Sequence, residues 1–366
     1  MPTRANVDVM EVTAEQALAY RVMRHRLKRR GSAAELTAIV GELGGIQAQM
    51  ASAAEMSIAA RIDGLKVKDV REALIDSRSL IKIWTLRGTL HYIPAHDVAL
   101  FGAAMRGAVA DRIPVLERVY GISRADVDRL TAAIGEALDA TPRTRAQLAA
   151  SVEQHLPERL RHLLLSGWGS VLHPAAHAGL LCFGPAQGQN VTFVKVEAWT
   201  NRPLMAISPE AASLALARRY LHVNGPAGAA DFARWSGLSL ARAKGAFESI
   251  ASDLEQVVVA GRKAVILKQD ATTLASAGFD GEVRLLPHFD VYTLAQAGRD
   301  LMISAEHRSA VYRKSGWISP VIVAEGRIAG TWTLTRGKIS LEPFRRLDAV
   351  TRRAAKADGE RLLGAL

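Results

Sequence analysis

Apolar residues recur at helical spacing along the first part of the chain and then give way to the alternation typical of strands. The helical spacing predicts two helices within residues 13–43 and two more near 52–62 and 67–76. Residues 80–94 are predicted to form two short strands hinged at Gly88. Several helices followed by a hairpin are the order of elements in a winged helix, so we expect one here.

The same order of elements recurs between residues 121 and 205. Helices are predicted after Ser123, Thr144 and Pro157, and the last of them is expected to reach about residue 170. Apolar residues at 179–183 and alternating residues at 191–196 predict two strands joined by a loop at 184–190. This segment is therefore expected to form a second winged-helix unit.

Residues 226–250 have the layout of a helix-turn-helix motif. A short helix is predicted to end at Trp235, to turn at Gly237 and to lead into a second helix capped by Ser239, with Arg242 and Lys244 near its start. Strands predicted at 257–259 and 264–267 would form a wing. Such motifs bind DNA in some proteins and serve only as packing units in others, and the sequence leaves both roles open.

The pattern changes to short strands in the last quarter of the chain. Strands are predicted at 284–286, 318–323 and 331–334, with turns at 325–326 and 336–337 and a final helix over 347–363. We therefore predict an α+β protein with three tandem winged-helix units, followed by a small C-terminal antiparallel β-domain. The predicted segments are 1–120, 121–205, 206–275 and 276–366.

Composition narrows the kind of partner that the chain is expected to bind. Its 366 residues carry 47 Lys and Arg against 36 Asp and Glu, a formal charge of +11 that favours a polyanion such as nucleic acid. A single cysteine, Cys182, lies among apolar residues and is expected to be a buried thiol in a reducing compartment. Neither a membrane-spanning run nor an export peptide in residues 1–15 is predicted, so the expected location is the cytoplasm, in association with the nucleoid.

The usual catalytic and metal-binding motifs are missing from the sequence. It has no phosphate-binding glycine loop, no cysteine pair suited to zinc and no Gly-x-Ser-x-Gly elbow. His173 and His177 are four residues apart, but they flank Pro174 and lack the glutamate of a zinc protease, so a structural role is expected. No metal and no organic cofactor is predicted.

Two amides stand out at the entrance to the third predicted helix. Gln47 and Gln49 follow the glycine pair Gly44 and Gly45, which favours a helix stop and a turn. In an extended segment, residues two apart share a face, so both amides would converge on one ligand. In a helix they would diverge, and they would then be ordinary exposed or capping amides.

Four separated motifs give the chain a resemblance to a known family. They are Gly-Ile-Gln-Ala-Gln at 45–49, Trp-Thr-Leu-Arg-Gly-Thr-Leu-His-Tyr-Ile-Pro at 84–94, Leu-Leu-Pro-His-Phe-Asp at 285–290 and Gly-Trp-Ile-Ser-Pro-Val at 316–321. Together they resemble the tandem winged-helix DNA glycosylases, across nearly the whole chain. The resemblance implies three winged-helix units and a C-terminal β-domain around duplex DNA, excision of cationic N7-alkylated purines and, in some members, unhooking of interstrand crosslinks.

The resemblance also implies which residues are catalytic. The family uses a Gln-x-Gln or a Gln-x-Asp element, and Gln47 and Gln49 match the first, which is associated with self-resistance to genotoxic natural products. A glutamine amide does not titrate near neutral pH, so neither residue is expected to act as a general acid or base. An N7-alkylpurine is already cationic and leaves without protonation. The amides are therefore expected to position a water and to stabilise the sugar cation.

Five further residues are candidates for DNA binding. Arg87, Thr89 and His91 alternate, so one strand face is predicted to present them to phosphate or to the lesion pocket, although a polar wing face is an open alternative. Phe289 and Asp290 are candidates to line the same pocket, and a core phenylalanine with a turn-forming aspartate is the alternative.

Two arginines and a tryptophan complete the set of candidates. Arg308 and Arg313 flank an apparent hairpin and are predicted to contact phosphate, unless they are simply solvated. Trp317 is expected to lie in the core. The predicted partner is double-stranded DNA with alkylated purines, bound by a monomer, and no membrane is expected. One rival function is that of a non-catalytic winged-helix transcriptional regulator, indifferent to Gln47 and Gln49. The other is that of a substrate-binding or structural protein that keeps only the fold.

Overall fold

A computed structural model of the chain describes residues 9–165, 170–295 and 297–366. Part of the N-terminal segment considered above, residues 1–8, and the end of the helix predicted after Pro157, residues 166–169, therefore lie outside the described residues. None of the helices in the described part is long and apolar enough to cross a membrane.

The described helices occur along the whole chain. They are α1 (Ala14–Arg24), α2 (Leu36–Glu42), α3 (Ala51–Ala59), α4 (Val67–Ile75), α5 (Val98–Tyr120), α6 (Arg124–Ala137), α7 (Arg145–Ser151), α8 (Glu158–Leu165), α9 (His173–His177), α10 (Val196–Thr200), α11 (Pro209–Asn224), α12 (Ala229–Ser236), α13 (Leu240–Ser249), α14 (Lys268–Ala275), α15 (Val291–Leu294), α16 (Arg299–Met302), α17 (Arg308–Val311) and α18 (Ala349–Ala365).

The strands form three sheets in the described part of the chain. They are β1 (Met10–Val12), β2 (Ile46–Gln47), β3 (Leu80–Trp84), β4 (Leu90–Pro94), β5 (Arg143–Thr144), β6 (Cys182–Gln187), β7 (Asn190–Val194), β8 (Leu254–Val259), β9 (Arg262–Leu267), β10 (Val283–Leu286), β11 (Val321–Ala324), β12 (Arg327–Thr335) and β13 (Lys338–Pro343).

The largest sheet joins the hairpins of the first two predicted units. Its strand order is β2-β4-β3-β6-β7-β5, and β3 meets β6 at the antiparallel pair Lys82 and Phe183. The hairpin β3–β4 turns at a short 3₁₀ segment, Leu86–Gly88, where the sequence predicts a hinge. The two units are therefore continuous through one sheet.

A second sheet connects the N-terminus with the predicted third unit. Strand β1 pairs in parallel with β8, with Met10 opposite Val257, and β8 forms an antiparallel hairpin with β9. The wing after the helix-turn-helix is thus confirmed as a hairpin, while β1 is an element that the sequence pattern does not predict. The third sheet has the antiparallel order β10-β11-β12-β13, and α18 packs against it.

Two large apolar clusters meet at the Gln47 region. One contains Leu86 and Trp235, and it includes much of α5 and α11. The other contains Ile46 and Ala48 together with the C-terminal sheet. The α+β class is confirmed. The division into three winged-helix units at the predicted boundaries stays a prediction, and the long helices α5 and α11 were not predicted.

Candidate active site at Gln47 and Gln49

Two glycines turn the chain from α2 into the glutamine segment. Gly44 and Gly45 have φ angles of 76° and 86°, a left-handed conformation that favours glycine. A Cβ atom on Gly45 would lie 2.8 Å from Ile93 Cγ2, and one on Gly44 would lie 2.8 Å from Trp235 Cζ2. Both the backbone angles and the close packing therefore require glycine at this turn.

The glutamine segment is a strand at Ile46–Gln47 and bends at Gln49, so the extended conformation that the sequence predicts is confirmed for the first glutamine only. In strand β2, Ile46 pairs with Tyr92 and Gln47 pairs with His91, and the amide of Ala48 donates to the carbonyl of Leu90 at 2.7 Å. Ile46 and Ala48, the residues on either side of Gln47, are buried in the core and anchor the segment. The helix α3 starts only after Gln49.

Both glutamine side chains are held by hydrogen-bond donors on the hairpin β3–β4. The Gln47 side chain is mostly buried, at 7% exposure, and its Oε1 accepts a hydrogen bond of 2.9 Å from Arg87 Nη2. Gln49 is exposed, and its Oε1 accepts the backbone amide of Leu90 at 2.8 Å. Guanidinium and backbone N–H groups can only donate, so each carboxamide must direct its oxygen toward the hairpin. Within the described residues, neither Nε2 group has a hydrogen-bond partner.

Arg87 lies in the hairpin turn and extends inward. Its φ of 57° places it in the left-handed region, and its Nη1 donates to the backbone carbonyl of Trp235. Burial lowers its pKa to about 10, so the side chain remains a cation at neutral pH. Thr89 donates its hydroxyl to the carbonyl of Leu86 at 3.1 Å within the same turn. The prediction that Arg87, Thr89 and His91 alternate along one strand face is therefore wrong at Arg87, because the chain is turning there, while Thr89 already has an extended backbone.

His91 lies beside Gln47 on the neighbouring strand. Its side chain is 2% exposed, and its Nδ1 is 3.0 Å from the carbonyl oxygen of Thr89. A carbonyl only accepts, so the proton sits on Nδ1 and the lone pair on Nε2. Burial, with a smaller effect from the Arg87 charge, lowers the pKa of His91 to about 3. The imidazole is neutral, so it is not a cation that would bind phosphate.

Asp290 is a buried structural residue. Its carboxylate is 0% exposed, and it accepts hydrogen bonds from Arg61 at 2.7 Å, from Ser57 at 2.6 Å and from the backbone of Tyr292 at 2.9 Å. Burial alone would raise the pKa of Asp290, but the Arg61 charge and these hydrogen bonds hold it below its ordinary value. A DNA contact by Asp290 is inconsistent with this geometry, because the side chain is fully buried and instead joins α3 to the segment between β10 and α15.

Phe289 and Trp317 form an aromatic cluster with His288. Phe289 is partly buried and lies edge-on to Trp317, with ring centroids 5.1 Å apart. Trp317 is 39% exposed, so the prediction that it belongs to the core is wrong. It follows a sharp turn at Ser315 and Gly316, whose φ angles are 58° and 75°, and this turn lifts the indole to the surface.

The two arginines predicted to contact phosphate differ in their surroundings. Arg308 begins α17 and forms an ion pair of 2.6 Å with Asp300, which also pairs with Arg262 at 2.8 Å. Arg313 is exposed, and in the described part of the chain it has no ion pair. Of the two, only Arg313 has a charge that is not already neutralised by a protein carboxylate.

The helix-turn-helix predicted at 226–250 packs against this site. Gly237, with a φ of 83°, forms the turn between α12 and α13, and a Cβ atom there would lie 2.8 Å from Arg87 Cα. In α13, Arg242 forms an ion pair of 3.2 Å with Asp111 of α5. The helix pair is confirmed as a structure, and its turn and one of its basic residues face protein. Sequence patterns gave no sign of this contact, since it joins residues far apart in the chain.

The described residues contain no group of three or more side chains suited to hold a metal ion. The rings of His173 and His177 are 6.1 Å apart, and His173 packs against Trp84 at 5.2 Å. Burial raises the pKa of the Cys182 thiol to about 12, which makes it a poor nucleophile.

Three comparisons with known proteins agree with one another. A family model described as DNA glycosylase AlkZ-like matches residues 40–365. An interstrand DNA cross-link repair glycosylase from Streptomyces sahachiroi is 34% identical over 349 residues, which cover 92% of this chain and 91% of the relative. The solved structure of the Streptomyces sahachiroi DNA glycosylase AlkZ matches with a TM-score of 0.89 and 32% identity, over 97% of this chain and 98% of that one.

Proposed function

The chain belongs to the AlkZ-like DNA glycosylase family, and from this membership we propose that it hydrolyses the N-glycosidic bond of cationic N7-alkylated purines in duplex DNA. The single observation that carries the proposal is the pair of neutral carboxamides, Gln47 and Gln49, each held against the same hairpin by a group that can only donate a hydrogen bond. Neither residue titrates, so the site suits a base that leaves without being protonated.

The proposed reaction is a simple hydrolysis. Water forms a bond from its oxygen to C1′ of the sugar, and the bond from C1′ to N9 of the purine breaks. The bonding electrons go to the purine and neutralise its positive charge, and one water proton is released to solvent. The products are a neutral N7-alkylpurine and an abasic site. A carboxamide nitrogen does not form a Schiff base with C1′, so we expect a monofunctional glycosylase.

Each amide has the same proposed part in this reaction, and its hydrogen bond supports it. A carboxamide oxygen has two lone pairs, and one of them is used by Arg87 at Gln47 and by Leu90 at Gln49. The second lone pair can accept a hydrogen bond from the attacking water and can face the developing sugar cation. Preorganised dipoles of this kind typically contribute about 10²- to 10³-fold each in rate.

The overall charge of the chain supports a DNA substrate. A formal charge of +11 favours binding to the phosphate backbone and predicts a steep dependence of affinity on salt. We further propose that the substrates include bulky adducts and interstrand crosslinks, because the relative that is 34% identical across nearly the whole chain is a cross-link repair glycosylase. We propose that the chain acts as a monomer on nucleoid DNA.

The test of the substrate class compares two duplexes of the same shape and different charge. One carries N7-methylguanine, and the other carries 7-methyl-7-deazaguanine, in which carbon replaces the quaternary nitrogen and removes the positive charge. We expect the chain to release base from the first and not from the second. Release from neither duplex, together with tight binding to one DNA sequence, would support a transcriptional regulator instead.

A further inference from the structure

We propose that Arg87 is a positioning residue that fixes the Gln47 carboxamide for hydrolysis, and that the turn of the helix-turn-helix holds Arg87 in place. This inference rests on the proposed function, and it gives Arg87 a different part from the phosphate contact that sequence reasoning suggested. Two hydrogen bonds of the Arg87 side chain support it, one to the backbone of Trp235 and one to the side chain of Gln47.

The Arg87 guanidinium bridges two acceptors on different parts of the fold. Its Nη2 donates to Gln47 Oε1 at 2.9 Å, and its Nη1 donates to the carbonyl of Trp235 in α12. A planar guanidinium with five donors in a rigid fork suits such a bridge, whereas the single ammonium of lysine does not. Both terminal nitrogens of the side chain therefore donate to protein acceptors.

The backbone of Arg87 is also held in place by its surroundings. The residue is left-handed, and Gly237 approaches so closely that a Cβ atom there would lie 2.8 Å from Arg87 Cα and 2.9 Å from Arg87 N. The turn between α12 and α13 thus packs directly against the backbone of the hairpin turn. This gives the helix-turn-helix a part in the active site that requires no DNA contact by its second helix.

The two glutamines differ in what orients them. Gln49 accepts from a backbone amide, that of Leu90, so no side chain is needed to fix it. Gln47 accepts from a side chain, and its cross-strand neighbour His91 uses Nδ1 on the carbonyl of Thr89. Without Arg87, the Gln47 carboxamide would lose the one donor that the described residues direct at its oxygen, and it would be free to rotate. Loss of this orientation is expected to lower the rate of base release even though the carboxamide is still present.

The test is a double-mutant cycle on single-turnover base release from a duplex with N7-methylguanine. We expect R87A to lower the rate constant by about 10- to 100-fold in the parent chain and by less than about twofold in a Q47A chain, because the effect passes through Gln47. The affinity for an undamaged duplex and its salt dependence are expected to stay the same. Equal rate losses in both backgrounds, or a weaker affinity with a shallower salt dependence, would overturn the proposal.

The lysine variant separates orientation from charge. R87K keeps the positive charge, and we expect a rate loss close to that of R87A, because the lysine ammonium lacks the planar fork whose separate Nη1 and Nη2 groups meet the two acceptors. A rate equal to that of the parent would show that the charge alone is sufficient and would contradict the bridging role.

A backbone variant tests the same link if R87A fails to fold. We expect G237A, which pushes on Arg87, to lower the rate constant by a similar factor. G64A is the matched control, since Gly64 is also left-handed, with a φ of 72°, but a Cβ atom there meets nothing within 4 Å, and it is expected to leave the rate unchanged. Equal rates for G237A, G64A and the parent would contradict a role for the contact between Gly237 and Arg87.

A readout that does not depend on activity keeps the two proposals distinguishable. In the free protein, the side-chain amide resonances of Gln47 are expected to shift and to broaden in R87A, while those of Gln49 stay in place. If the parent releases no base but these resonances respond, the proposed function fails and the orientation of Gln47 by Arg87 stands. Unchanged Gln47 resonances would refute the orientation.

Discussion

Gln49 and Leu90 are joined by a hydrogen bond of 2.8 Å from the backbone amide to the side-chain oxygen, across 41 positions of sequence. The donor comes from the first residue of β4, immediately after the turn that carries Arg87. One hairpin therefore orients both amides, one through its backbone and one through a side chain. The glutamine segment and the hairpin are best regarded as a single functional unit.

The first prediction concerns the glycine turn before Gln47. Gly45→Ala adds a left-handed strain and a contact with Ile93, whereas Gly64→Ala adds the strain alone, since a Cβ atom on Gly64 meets nothing within 4 Å. We expect G64A to lower the free energy of unfolding by about 1 kcal/mol, and G45A by at least about 1 kcal/mol more. Urea denaturation measures the free energy of unfolding of both variants. Equal losses in G45A and G64A would contradict the close packing of Gly45 against Ile93.

The second prediction concerns the buried pair of Asp290 and Arg61. Asp290→Ala leaves the Arg61 charge unpaired in the core, so we expect the free energy of unfolding to fall by about 3 to 5 kcal/mol. Asp300→Ala removes a partly exposed partner of Arg262 and Arg308 and is expected to cost less than about 1 kcal/mol. A D290A chain that is as stable as the parent but binds DNA poorly would support a DNA contact by Asp290 instead.

The third prediction concerns phosphate contact by Arg313, just after α17. We expect R313A to weaken binding to an undamaged duplex and to reduce the slope of log affinity against log salt by about 1. R308A is the matched control and is expected to change the slope less, because Asp300 already neutralises that arginine. Binding measured at four salt concentrations separates them, and identical slopes for R313A and the parent would exclude the contact.

The fourth prediction is a rate that does not change with pH. Gln47 and Gln49 do not titrate, His91 is neutral above about pH 3, and Arg87 is protonated below about pH 10. We therefore expect the single-turnover rate constant on the N7-methylguanine duplex to be flat between about pH 5.5 and 8.5. A fall below the ordinary histidine pKa of 6.5 would instead indicate a titrating base.

Local signals in the sequence were sufficient for much of the fold and for part of the site. The glycine pair at Gly44 and Gly45, the hinge at Gly88 and the turn at Gly237 each depend on backbone conformations that only a few residue types adopt, and each lies where it was predicted. The pairing of β1 with β8 could not be predicted, because it joins strands from opposite ends of the chain.

The side chains of the site were harder to place than its backbone. Alternation suggests a common face only while the strand continues, and Arg87 lies in the turn before the strand, where that rule does not apply. The partners of Arg87 and Asp290 come from α12 and α3, which are remote in sequence. Composition cannot distinguish a buried charged side chain, paired with a residue remote in sequence, from an exposed one that binds a DNA phosphate.

The central claim is that two uncharged amides catalyse base release, and single-turnover measurements on an N7-methylguanine duplex test it most directly. We expect Q47A and Q49A each to lower the rate constant by about 100-fold or more, with undamaged-duplex affinity unchanged. Q49A is expected to keep the unfolding free energy of the parent, whereas Q47A leaves Arg87 without its acceptor and is expected to lose about 1 to 3 kcal/mol while remaining folded. Q269A, which removes an exposed glutamine of α14, is the matched control and is expected to react like the parent. Rate constants for Q47A and Q49A within about twofold of the parent would contradict the claim.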